Sequence, residues 1–160
     1  MSATSVSLLE QRRIEAEIVK PLLTAFEAEL GRKKTQEILA RVIVQLARQS
    51  GRQLRQASAD DRLQSFAAML PLWQQDDALE LEILESGDKV LRFNVTRCRY
   101  AEMYRDLGLD DLGCVLSCNR DAALIEGFSA RIKFTRTQTL MEGAPYCDFL
   151  YNRQTSDLAT

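Results

Sequence analysis

From Leu8 to Leu30 apolar residues recur at every fourth position, Ile14, Ile18, Leu22, Phe26 and Leu30, with Val19 and Leu23 beside them, which predicts an amphipathic helix. Gly31 stands where a glycine ends a helix. Pro21 lacks a backbone donor and predicts a kink, or a division into two helices, near Lys20. A second helical stretch is expected from about Lys33 to Gln49, carrying Ile38, Leu39, Val42, Ile43 and Leu46, with Gly51 as its stop. A third begins near Ser58, Ala59 and Asp60, where a side chain can cap it, and carries Leu63, Phe66, Ala67 and Leu70 as far as Pro71.

After this the period changes from helical to alternating. Leu79, Leu81 and Ile83 alternate with Glu80 and Glu82, and Leu91, Phe93 and Val95 alternate with Arg92 and Asn94. Ser86, Gly87 and Asp88 between them make a tight turn, so a β-hairpin with one buried face is expected. Arg99 to Leu107 and Asp110 to Glu126 read as shorter helices parted by Gly108, the second ended by Gly127. Ala130 to Thr137 and Tyr146 to Tyr151 read as two more strands, joined by a loop with Gly143 and Pro145. Helices grouped ahead of strands favour an α+β fold, with N-terminal helices packed on a mainly antiparallel sheet of about four strands and short helices intervening. One domain is expected over residues 1–160, its helical part about 8–72 and its α+β part about 78–153.

Charge and composition remove several functions. The chain has 21 Lys and Arg against 23 Asp and Glu, so no basic excess points to nucleic acid or to an acidic membrane surface. No apolar run reaches the roughly 18–20 residues of a membrane span, and the start MSATSVSLLEQRR has no apolar leader core, so the cytoplasm is the expected compartment. Histidine is absent, which excludes Ser-His-Asp and Cys-His mechanisms and HExxH zinc sites. There is no P-loop, GxGxxG or GxSxG motif. The pairs Arg12-Arg13 and Lys33-Lys34 read as solvated helix faces.

What remains is thiol and carboxylate chemistry. Of the four cysteines, three lie beside polar residues in segments that a sheet would bring together: Cys98 ends a strand, Cys118 precedes Asp121 on a helix, and Cys147 precedes Asp148 on a strand. A regular helix places Cys114, Cys118 and Asp121 on one face, so a thiol and a carboxylate become neighbours. Burial as a small apolar residue is the competing reading of each cysteine, and Cys114 fits it best. Alternation from Ala130 turns Arg136 toward the core, where it needs an anion: Asp121, Asp148 or the carboxylate of a small-molecule substrate. Cys98, Cys118, Cys147 and Asp121 are also a donor set for zinc or manganese, without any C-x2-C pair; the thiol reading requires no cofactor.

The segment from Phe93 to Phe149 resembles the L-2-amino-thiazoline-4-carboxylic acid hydrolase family. The likeness rests on Cys98, Tyr104, Leu107-Gly108, Cys118 with Asp121, Arg136, Thr139-Leu140, Gly143 and Cys147-Asp148-Phe149, and the N-terminal RRIEAEIVKPLLTAFEAELG is similar to the family's leading helices. The resemblance implies a hydrolase opening a small cyclic amidine: water adds at the ring carbon between nitrogen and sulfur, and C–S cleavage gives N-carbamoyl-L-cysteine. Set beside these residues, that chemistry casts Cys118 or Cys147 as nucleophile, or a water activated by a carboxylate in its place. Asp121 or Asp148 becomes the acid and base, and Arg136, with Cys98 and Tyr104, binds the substrate. A non-catalytic module binding a small acid or a metal on the same residues is the alternative. Assembly into a homo-oligomer through the long helices stays open.

Overall fold

The computed structural model describes residues 6–154. Two long helices lead, α1 (Leu8–Leu30) and α2 (Arg32–Ala57), followed by the short α3 (Leu63–Ala67) and α4 (Leu70–Gln74). The hairpin β1 (Leu79–Ser86) and β2 (Val90–Cys98) comes next, then α5 (Arg99–Asp106) and α6 (Asp110–Gly113). A π-helical turn (Cys114–Cys118) leads into α7 (Asn119–Phe128), and β3 (Ile132–Thr135) and β4 (Cys147–Arg153) close the chain. The strands form one antiparallel sheet in the order β1-β2-β4-β3, with Leu79 opposite Cys98, Val95 opposite Cys147 and Phe134 opposite Tyr151. The architecture is α+β. No helix among the described residues is long and apolar enough to cross a membrane.

Alternation holds where the sheet is covered. Leu91, Phe93 and Val95 are buried and pack with Phe66 of α3 and with Ile125 and Phe128 of α7. On the edge strand β1 it fails: Ile83, expected inside, is exposed, because bulges after Glu80 and after Ile83 shift the register at a strand with nothing packed over its far end. A second cluster joins Leu9, Ala16 and Leu23 of α1 to Ile43, Tyr100, Met103, Tyr104 and Leu116.

The helices correct several expectations. The row from Ile14 to Leu30 lies outside, each residue 46% to 60% exposed, while Leu9, Ala16 and Leu23 are buried. The side of α1 that faces the core is instead Leu9, Ala16, Val19 and Leu23, whose steps of seven, three and four keep to the 3.6-residue turn. Pro21 does not divide α1, which runs on through it. Pro71 does not end a helix but opens α4, a position where its missing N–H costs nothing.

Gly51 and Gly127, expected as stops, lie inside α2 and α7. A Cβ at Gly51 would stand 2.0 Å from the Leu124 carbonyl oxygen, and one at Gly127 would stand 2.1 Å from that of Arg48. Both glycines therefore serve close helix–helix approach, and that approach holds α7 over the sheet.

Candidate active site

A cavity of about 130 Å³ opens at the seam between the two hydrophobic clusters. An engineered apolar cavity of roughly 150 Å³ holds benzene, so this space suits one small ring. Phe66, Trp73, Phe93, Phe149 and Tyr151 supply an aromatic wall, with Phe93 stacked on Phe149 at 4.9 Å between ring centres. Cys98, Cys118, Asp121, Arg136 and Cys147 supply a polar end.

Each polar residue arrives there for a local reason. Cys98 ends β2 and Cys147 begins β4, whose inward positions then continue through Phe149 and Tyr151. Cys118 closes the π-helical turn, in which the Asn119 amide donates five residues back to the Cys114 carbonyl. Such turns are frequent at functional sites, and here the Cys114 and Cys118 thiols stay neighbours. Cys118 and Asp121 line the cavity and Cys114 does not.

Asp121 and Arg136 form an ion pair. Arg136 Nη2 also donates to the Cys118 carbonyl at 3.2 Å, and its guanidinium lies over the rings of Phe134 and Phe149 at 5.5 and 5.3 Å from their centres. Of the anions weighed for Arg136 within the chain, it is Asp121 that pairs with it. Burial pushes the Asp121 carboxyl up to about 6, and the positive charges of Arg136 and Arg120 only partly oppose this. A third of its side-chain surface stays open, and the residue lines the cavity.

The thiols are shifted the same way. Burial pushes Cys98 up to about 11, and burial together with the negative charge of Asp121 pushes Cys118 far above its ordinary value. Cys147 is raised by burial as well, although its sulfur accepts a hydrogen bond from the Leu140 amide at 3.2 Å. All three are neutral thiols near pH 7.

Two expected residues do not reach the cavity. Asp148 follows Cys147 along β4 and so points to the opposite face, where it accepts from the Thr137 hydroxyl at 2.6 Å and from the Thr137 and Gln138 amides at 2.9 Å each. It ties the β3–β4 connection together. Tyr104 is buried in the helical cluster, and Tyr100, one turn earlier on α5, lines the cavity instead. As a metal set, Cys98, Cys118, Cys147 and Asp121 do not converge: among the described residues no three His, Cys, Asp or Glu side chains are placed to hold an ion.

Sequence reasoning missed two wall residues that carry charge, Arg12 of α1 and Arg120 of α7. Arg12, expected in solvent, has a side chain only 17% exposed. Its signal was the 3-4 spacing of Leu9, Arg12, Ala16, Val19 and Leu23, which places it inside the stripe that is buried.

A family model described as L-2-amino-thiazoline-4-carboxylic acid hydrolase matches residues 11–151. No curated protein matches. Among solved structures, the phenol-responsive sensory domain of the transcription activator PoxR with phenol is similar at a TM-score of 0.52 and 12% identity, over 88% of this chain and 76% of that one. At that identity the likeness is one of fold.

Proposed function

On the premise that the chain belongs to the L-2-amino-thiazoline-4-carboxylic acid hydrolase family, we propose that it is a hydrolase opening a small cyclic amidine or amide ring, with Asp121 as its general base. L-2-amino-thiazoline-4-carboxylate is the first candidate substrate and N-carbamoyl-L-cysteine its product. One observation carries the assignment of the base: a carboxyl held near 6, facing a cavity the size of one ring.

Neutral thiols make poor nucleophiles, so the reading favours water as the attacking group over Cys118 or Cys147. Ionised Asp121 takes a proton from water as the oxygen adds to the amidine carbon. As the C–S bond breaks, the protonated carboxyl returns that proton to the departing sulfur, and the second proton of the water passes from the added hydroxyl to the ring nitrogen as the carbonyl forms, which leaves the enzyme unchanged. Arg136 positions Asp121 and keeps it ionised at neutral pH.

Mass-spectrometric assay for N-carbamoyl-cysteine tests this, with Asp121→Asn beside wild type. Turnover by wild type and a loss of about 10²–10⁴-fold in the variant are expected. The base must be ionised, so kcat/KM should rise with pH through about 6 and level above it. No product from folded wild-type protein, or a variant that retains full turnover, would overturn the proposal.

The aromatic wall favours a second reading, a non-catalytic pocket for a small aromatic compound, and the fold likeness to a phenol-responsive domain supports it. Thermal stabilisation by phenol with no turnover of any thiazoline would select this reading.

A further inference from the structure

The geometry points to a separate anion-binding element in the same cavity: Arg12 of α1 and Arg120 of α7 receive the carboxylate of a small ring acid, and Arg136 does not. The inference deepens the hydrolase proposal by naming the group that meets the substrate's carboxylate, and rests on that proposal only for the substrate's identity.

The argument is one of charge balance. Arg12 and Arg120 both line the cavity, with side chains only 17% and 14% exposed. They share one carboxylate, Glu15, 40% exposed, which Arg12 Nη1 meets at 2.8 and 2.7 Å and Arg120 Nη2 approaches at 3.5 Å. Arg120 Nε is committed to the Leu116 carbonyl at 2.7 Å. Two enclosed guanidiniums against one carboxylate leave a positive charge without a partner, and an enclosed unpaired charge is costly unless an anion joins it.

Asp121 also acts on Arg120, but counting it brings in Arg136 as well, so three guanidiniums meet two carboxylates and the set is still one negative charge short. The hydroxyls of Tyr100 and Tyr104 feel both the burial and the nearby arginine charges, and burial dominates, pushing each up to about 12, so both are neutral. Asp121 is matched by Arg136. Burial and the repulsion of Arg12 together make the charged form of Arg120 harder to hold.

Arg136 offers the contrasting case. Its charge is already neutralised, one of its nitrogens holds the Cys118 carbonyl, and its planar faces cover aromatic rings. A ligand carboxylate drawn to Arg136 would have to displace Asp121, whereas one drawn to Arg12 and Arg120 completes a set that is one negative charge short. Guanidinium groups suit this role because their donors match a carboxylate in pairs.

Calorimetric titration with benzoate, a ring acid that cannot be opened, tests the inference on the full chain at low salt, with phenol as the uncharged counterpart. Wild type is expected to bind benzoate, Arg12→Gln to weaken it at least tenfold, and Glu15→Gln to tighten it several-fold, while phenol moves with neither substitution. Absence of benzoate binding by wild type, or benzoate affinities that move no more than those of phenol, would overturn it. If Arg12→Gln does not fold, Glu15→Gln decides alone, since it removes the competing carboxylate and leaves both arginines. Binding does not require turnover: shifts as expected in a protein that opens no ring would remove only the hydrolase reading. Turnover with a KM unchanged in Arg12→Gln would remove only this one.

Discussion

Two concavities in this molecule differ in chemistry: a groove between α1 and α2 and the cavity over the sheet. The groove is lined by Leu22, Phe26, Leu30, Ile38, Val42 and similar residues, with Thr35 as its polar exception. The cavity gathers three arginines, one aspartate and three cysteines among aromatic rings. An apolar groove needs no more than side chains left over from two amphipathic helices, whereas enclosed charges persist against a desolvation cost of several kcal/mol per ion. That cost marks the site.

The largest effect on this contrast is expected at the helix crossing that holds the cavity together. Gly127→Ala places a methyl 2.1 Å from the Arg48 carbonyl oxygen, and backbone cannot swing aside as a long side chain can. A loss of about 3 kcal/mol in denaturant unfolding is expected, with weakened ligand binding, since α7 carries Arg120 and Asp121. Stability within about 0.5 kcal/mol of wild type would show that α7 can shift without consequence, and the cavity would then owe little to this crossing.

The same crossing shows what the sequence could and could not tell. Hydrophobic period located every strand and the boundaries of α1 to within a residue or two, because period is a local property. It read Gly51 and Gly127 as stops, since a glycine that ends a helix and one that admits a neighbouring backbone look alike until the neighbour is known. Cys98, Cys118, Asp121, Arg136 and Cys147 were legible as a group, each sitting next to a break in pattern. Arg12 showed only as a charge inside a buried stripe, and what it does there is clear only once Arg120, 108 positions later, is seen on the same Glu15. The π-helical turn was also hidden, for nothing in Cys114–Cys118 distinguishes it from regular helix.

A smaller effect is expected in the outer groove. Thr35 is buried, and among the described residues its hydroxyl has no hydrogen-bond partner. An unsatisfied buried hydroxyl costs roughly 1–3 kcal/mol, so Thr35→Val should raise stability by about 1 kcal/mol in the same unfolding assay. Destabilisation instead would show that the hydroxyl is satisfied in solution, by water or by a group that enters the groove.

The smallest effect is expected at Ile18, 60% exposed on the outer row of α1. Its burial contributes little, and a lysine stem can lie along the neighbouring apolar surface of Leu22 while its ammonium stays in water. Ile18→Lys should change stability by less than about 0.5 kcal/mol and leave benzoate affinity where it was. A loss beyond about 1 kcal/mol, or one that varies with protein concentration, would mean that this face is covered in solution. The exposed row of α1 would then mark an interface, and the contrast with the cavity would lie in what each receives rather than in whether it receives anything.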